Sequence, residues 1–129
     1  MGETMKKKIL LIDDEDLIIL SFHKLLTKSG YEVSVANTGM VALEIIDDEE
    51  FNLIISDIRM PWVNGIETIR EIKQTLQSKQ KKIPAIIFIT GYADKDLEEA
   101  AKEFFPAAYM HKPIDISELL TTVQKVLEP

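Results

Sequence analysis

Cysteine is absent from this chain of 129 residues. That excludes disulfides, thiolate metal centres and cysteine nucleophiles, and it fits a reducing, cytoplasmic setting. Histidine is scarce too. His23 and His111 are not at ligand spacing, and both are expected to be solvated. No apolar run approaches the roughly 18 residues of a membrane span. The opening Met-Gly-Glu-Thr-Met-Lys-Lys-Lys lacks the apolar stretch of a secretion signal, and Lys6 stands where a myristoylation motif needs Ser or Thr. Positive charge is in deficit: 15 Lys and Arg against 22 Asp and Glu leave a net −7. Such a balance argues against this segment gripping a phosphate backbone, so no direct nucleic-acid binding is expected. What remains, 46% apolar and 29% charged residues, is the composition of a soluble globular domain. There is no repeat and no internal linker, so residues 1–129 are read as one domain with its core in 8–127.

Short apolar runs alternate with helical patterns five times. Ile9 to Ile12 is a buried-strand pattern followed at once by Asp13, Asp14, Glu15 and Asp16. The next helix carries Ile18, Phe22, Leu25 and Leu26 on one face, with Gly30 as its stop. Tyr31 to Ala36 alternates polar and apolar. Thr38 is an N-cap for a helix carrying Ala42, Leu43 and Ile46, and the acids Asp47 to Glu50 read as a solvated loop. Leu53 to Ser56 is a third strand, and Asp57 follows it directly. Met60-Pro61-Trp62-Val63-Asn64-Gly65 reads as a turn in which Gly65 tolerates positive φ. A helix with Ile66, Ile69, Ile72 and Leu76 follows, then the run Ala85 to Ile89 closed by Thr90-Gly91. A helix beginning near Asp94 passes through Leu97, Ala100, Ala101 and Phe104 until Pro106 stops it. Ala107 to His111 is the last strand. Asp115, with Glu118 three residues on, caps a final helix that buries Ile116, Leu119, Leu120, Val123 and Leu127. Alternation of this kind predicts an α/β fold: a doubly wound, five-stranded parallel sheet between helix layers, joined by right-handed crossovers. We adopt the flavodoxin-like strand order 2-1-3-4-5 for this (βα)5 arrangement.

In such sheets chemistry gathers at the carboxyl ends of the strands. Asp13, Asp14, Asp57, Thr90 and Lys112 each follow an apolar run, so they are expected to converge. Carboxylates about 4 Å apart repel by about 4 kcal/mol at an effective dielectric near 20. Such a cluster wants a cation. An all-oxygen donor set without cysteine or nearby histidine points to Mg²⁺, with Mn²⁺ as the alternative. A lysine opposite would offset the charge of a phosphoryl group, a threonine hydroxyl could donate to it, and an aspartate could be the nucleophile.

Four segments carry a resemblance: LLIDDED (Leu10 to Asp16), SDIRMPWVNG (Ser56 to Gly65), ITGYAD (Ile89 to Asp94) and YMHKP (Tyr109 to Pro113). Together, in this order, the chain resembles the response-regulator receiver domains of two-component, histidine–aspartate phosphorelay signalling, from Lys8 to Leu127. The resemblance implies a phosphorylation-dependent switch, not an enzyme with a separate substrate. Asp57 would take a phosphoryl group from a phosphohistidine on a sensor kinase or phosphotransfer protein. Asp14, Asp57 and the backbone carbonyl of Arg59 would bind Mg²⁺, with Asp13 acting largely through water. Thr90 and Lys112 would contact the phosphoryl group, and the Lys112–Pro113 bond would be cis. Thr90 and Tyr109 would form the switch that alters the surface of the fourth helix, last strand and last helix, which a downstream effector domain or protein reads.

The chain departs from the family pattern where Phe105-Pro106 replaces Gly-Ala; Phe-Pro is expected not to adopt the left-handed cap that glycine would, so the fourth helix should end differently. Gly91 stands where a small alanine is frequent, and Asn64 where an aspartate is. Arg59 and Tyr92, two residues past Asp57 and Thr90, are candidates for tuning the lifetime of the acyl phosphate. Leu17, Ile19 and Leu20, off the core face of the first helix, are candidates for docking a kinase, a phosphotransfer helix or a second copy of this chain. Rival readings are an aspartyl-phosphate phosphatase, a flavin-binding module and a non-phosphorylated interaction module. The first would want an acid where Arg59 stands, and the second a Ser/Thr/Gly-rich loop where Asp13 to Asp16 stand. The third is disfavoured because all five key positions are filled.

Overall fold

The computed structural model describes residues 6–58, 65–91 and 95–128. The order is β1 (Lys8–Ile12), α1 (Asp16–Lys28), β2 (Glu32–Ala36), α2 (Gly39–Asp48), β3 (Leu53–Asp57), α3 (Gly65–Ser78), β4 (Ala85–Thr90), α4 (Lys95–Lys102), β5 (Ala108–His111) and α5 (Ile116–Leu127). All pairings are parallel, and the strand order is β2-β1-β3-β4-β5, as the alternation predicts. Because successive strand residues face opposite ways, each apolar run feeds two cores. Ile9, Leu11, Leu53, Ile55, Ile87, Ile89 and Met110 face α1 and α5, meeting Phe22, Leu26, Leu119 and Val123. Leu10, Ile12, Ile54, Ile86 and Phe88 face the other side and meet α2, α3 and α4 through Ala42, Ile46, Ile66, Ile69, Ile72 and Ala101. Burying one such Leu, Ile or Phe side chain is worth about 1.5–3 kcal/mol.

Local chemistry sets the helix ends. Thr38 caps α2 by accepting from the Val41 N–H at 3.1 Å. Asp115 Oδ1 caps α5, accepting from Ser117 N at 2.9 Å and Glu118 N at 3.3 Å. Gly30, with φ of 101°, ends α1: its N–H donates to the Thr27 carbonyl, and the Tyr31 N–H to that of Leu26, each at 3.1 Å. This double closure needs the left-handed conformation that glycine adopts at little steric cost.

Several expectations are corrected. Gly65 is not a positive-φ turn residue; it begins α3, and a Cβ there would collide with the Asp57 carbonyl oxygen. Close approach of two backbones, not φ, requires glycine here. The rest of the Met60–Asn64 turn, Trp62 included, lies outside the described residues, as do Arg59, Tyr92 and Asp94. Asp47 and Asp48 belong to the last turn of α2, and Asp47 pairs with Lys79, while Glu49 holds Lys8 at 3.0 Å. Ile116 is 41% exposed, because the first helical residue after the Asp115 cap sits at the rim of the core. Ile19 leans onto the α1/α5 core instead of pointing outward, whereas Leu17 and Leu20 are 78% and 66% exposed.

The end of α4 is the largest departure. The helix stops at Lys102, four residues before Pro106; Phe104 lies past its end, its ring packed edge-on to Phe88 at 6.3 Å between centroids. Phe105 then takes the left-handed conformation the sequence argued against, with φ of 48° and its N–H donating to the Lys102 carbonyl at 3.1 Å. Proline disfavours the right-handed helical region for the residue before it, and the chain must reverse into β5; a left-handed residue does both. The ring is 90% exposed, so nothing packs against it in compensation.

At the amino-terminal edge of the sheet a cavity of about 330 Å³ is lined by Lys6, Lys7, Lys8, Lys81 and Lys82, with Glu49 and Glu50. The acidic strand ends lie at the opposite edge.

Phe105→Gly should raise stability by about 1 kcal/mol, since a non-glycine residue in the left-handed region costs about 1–2 kcal/mol and no buried surface is lost. Urea unfolding of the two proteins checks this; an unchanged or lower midpoint contradicts it.

Candidate functional site

Register brings the site together. Ile12 pairs with Ser56, Asp57 with Ile89, and Thr90 with His111, so the residues just beyond β1 and β5 arrive beside the ends of β3 and β4. Ladder bonds run one residue past the strands: Asp13 N donates to the Ala36 carbonyl at 3.1 Å, Ile58 N to Ile89 at 2.9 Å, and Lys112 N to Thr90 at 2.7 Å. Alternation then sorts the side chains. Asp13, Asp57 and Lys112 share the parity of Leu11, Ile55 and Met110, hence the α1/α5 side. Thr90 shares that of Phe88, on the α4 side, where Tyr109 is half-buried.

The result is a compact ionic pocket. Lys112 Nζ lies 2.8 Å from Glu15 Oε1, 3.1 Å from Asp57 Oδ2 and 3.3 Å from Asp13 Oδ2. Asp13 and Asp57 are 1% and 4% exposed, while Asp14 is open to solvent. One carboxylate oxygen from each of Asp13, Asp14 and Asp57 lies within 4.8 Å of the others. Asp13 Oδ1 accepts from the Glu15 N–H at 2.9 Å, and Ser56 Oγ donates to the Asp57 carbonyl at 3.0 Å. Two of the five expected residues, Asp13 and Asp57, thus contact Lys112, Asp14 stands beside them, and Thr90 is buried at the adjoining strand end. The Lys112–Pro113 peptide is cis.

Negative charge is in excess here. Burial, reinforced by the Asp57 charge, pushes the Asp13 carboxyl up to about 6, although the Glu15 N–H and Lys112 oppose the rise. Burial alone would lower the Lys112 ammonium, but hydrogen bonding to Glu15 and the charges of Asp13 and Asp57 outweigh it and hold the lysine above its usual range. One lysine does not balance the acids around it. The oxygen-only donors, two buried and one at the mouth, suit a hard divalent cation that keeps part of its hydration shell.

Sequence reasoning missed Glu15. It stands at the N-cap of α1 yet makes no side-chain cap bond, reaching instead 97 residues along the chain to Lys112. The signal was present: glutamate is a poor N-cap, so a third acid there has its side chain free for other work. His111 is not simply solvated. Its Nε2 lies 3.1 Å from Glu98 Oε1, and its ring is 5.3 Å from that of Tyr109.

The receiver-domain family model, described as the response regulator receiver domain, matches residues 9–124. The chain belongs to this family. This receiver is 30% identical to Sporulation initiation phosphotransferase F of Bacillus subtilis over 95% of both chains. It is also 30% identical to the polar-differentiation response regulator DivK of Brucella ovis, over 95% of this chain and 98% of that one. A CheY-like receiver domain from Methanospirillum hungatei superposes with a TM-score of 0.84 at 30% identity, covering 94% and 93% of the two chains. The receiver is therefore a signalling domain of two-component response regulators, and among its described residues no helix is long and apolar enough to cross a membrane.

The Asp13 carboxyl titrates near 6 in the folded protein and near its ordinary 3.8 unfolded. The folded state thus binds the proton more tightly, and the stability this gives is full below about pH 4 and lost as pH rises through 6. In metal-free protein at pH 7.5, Asp13→Asn should gain about 3 kcal/mol, the shift from 3.8 to about 6 at about 1.4 kcal/mol per pKa unit. The gain should shrink toward pH 4 and when Mg²⁺ is added to both proteins. Thermal melts at both pH values check this; no gain at pH 7.5 refutes it.

Proposed function

We propose that the domain is a phosphoacceptor switch in which the Asp57 carboxylate accepts a phosphoryl group from a phosphohistidine on a sensor kinase or phosphotransfer protein. The supporting observation is the Lys112 ammonium at 3.1 Å from Asp57 Oδ2, inside a cluster of acids fit for a divalent cation. Asp57 Oδ attacks phosphorus, the P–N bond breaks, and the imidazole leaves with the electron pair and takes up a proton. Asp13, Asp14 and Asp57 would hold Mg²⁺, with Mn²⁺ as substitute; the expected fourth contributor, the carbonyl of Arg59, lies outside the described residues. The cation supplies neutralising charge to the phosphoryl oxygens. Lys112 pairs with a phosphoryl oxygen, and the Thr90 hydroxyl donates to another. The burial of Asp57 keeps bulk water from the acyl phosphate. Arg59 and Tyr92 remain candidates for tuning its lifetime.

The domain modifies its own side chain and turns over no separate substrate. Its relative in Bacillus subtilis carries phosphotransferase in its name, which supports a place in a phosphorelay. Phosphorylation adds charge at one strand edge and biases Thr90 and Tyr109 between two packings. The readout is the α4–β5–α5 face, where Glu98, Ala101, Lys102, Pro106, Tyr109 and His111 line a groove of about 320 Å³. An effector domain or protein reads that face. The setting is cytoplasmic, where phosphohistidine donors act. The net charge of −7 leaves nucleic-acid contact to a partner.

Incubation with acetyl phosphate and Mg²⁺ should add one phosphoryl group by intact mass, and Asp57→Asn should abolish the addition; modification of both proteins alike overturns the assignment. Leu17 and Leu20 expose apolar surface on α1 beside the site, a landing for a donor helix. Leu20→Glu should slow transfer from a phosphorylated phosphotransfer protein about tenfold, leave acetyl phosphate labelling intact, and lower any self-association seen in sedimentation. Unchanged transfer and unchanged association together would remove the docking role.

A further inference from the structure

We propose that Glu15 is a positioning residue, a latch that occupies Lys112 in the unphosphorylated protein and is displaced when a phosphoryl group arrives; this rests on the phosphoacceptor reading of Asp57. The lysine ammonium has three N–H donors, and three carboxylates surround it: Glu15 at 2.8 Å, Asp57 at 3.1 Å and Asp13 at 3.3 Å. Two of its donors make hydrogen bonds, to Glu15 and Asp57, and Asp13 adds a third close negative charge, so a phosphoryl oxygen approaching Lys112 competes with the carboxylates already held there.

Asp13 is fixed by burial and by the bond it accepts from the Glu15 N–H at 2.9 Å. Asp57 carries the phosphoryl group and cannot leave. The Glu15 side chain is 55% exposed, caps nothing in α1, and swings into water by side-chain rotation alone. It is also the nearest of the three. A dianionic phosphoryl group and the Glu15 carboxylate would repel one another across one ammonium, which drives the exchange. Glu15 thus stands in for the phosphoryl group in the resting state. It keeps Lys112 ordered, and its displacement adds to what binding must overcome.

Two variants separate a contact from a mere local charge. Glu15→Gln removes the charge, while Glu15→Asp keeps it but is one methylene too short to hold the bond. With beryllofluoride and Mg²⁺ as the probe, both variants should bind about three- to fivefold more tightly than wild type. In metal-free protein without beryllofluoride, the Lys112 side-chain NMR signals should shift in both variants. In wild type, saturating beryllofluoride should move these signals away from their resting positions. If Glu15→Asp behaves as wild type while Glu15→Gln tightens, a long-range field acts and the latch is overturned. Wild-type affinity in both variants, or resting Lys112 signals unmoved by either substitution, also overturns it. A wild-type protein that takes no beryllofluoride overturns the phosphoacceptor reading and the latch with it.

Discussion

The ion cluster around the Lys112 ammonium is the constraint on which the arrangement of this receiver turns. Buried carboxylates repel at short range and lose hydration, so Asp13 and Asp57 persist together only because a cation stands between them. The lysine is contributed by the far end of the chain, from the segment that leaves β5. Bringing it there requires four strands in their parallel register, since β1 and β5 are separated in the sheet by β3 and β4. The core therefore does more than stabilise the domain. It sets the distance between charges that solvation would otherwise drive apart.

That function explains the economy of the strand ends. Ile9 to Ile12 and Leu53 to Ser56 are fully buried, and the carboxylates of Asp13 and Asp57, themselves buried, follow directly on these runs. Gly65 belongs to the same geometry, because α3 begins against the Asp57 carbonyl and a side chain would push the helix off the strand bearing the phosphoacceptor candidate. Folding and chemistry thus share residues. Asp13→Asn is informative for that reason: what weakens the metal-free fold is what prepares a cation site.

Much of this was legible in the chain. The period-two sorting of five apolar runs fixes two cores and places Asp13, Asp14, Asp57, Thr90 and Lys112 at one edge. Thr38, Asp115 and Gly30 act locally, so their capping roles could be read from neighbouring residues alone. The misreadings arise where long-range geometry decides. Whether Gly65 serves a turn or a close approach depends on Asp57, which reaches it through folding. Ile19 and Ile116 depend on how α1 and α5 sit at the rim of their shared core. Phe105 shows a conflict between neighbours, proline against helix exit, that the need to enter β5 resolves. Glu15 escaped notice because its partner lies 97 residues away.

The lysine-lined cavity at the amino-terminal edge has a consequence of a different kind. Five lysines gather at one edge of the sheet and three aspartates at the other, so among the described residues charges of opposite sign stand at the two ends of the strands. In the field of a charged partner such a body rotates before it touches, and the end presented at first encounter is selected by torque at distances of about a Debye length, roughly 8 Å in physiological salt. Raising the salt removes this orienting force while leaving every short-range contact in place.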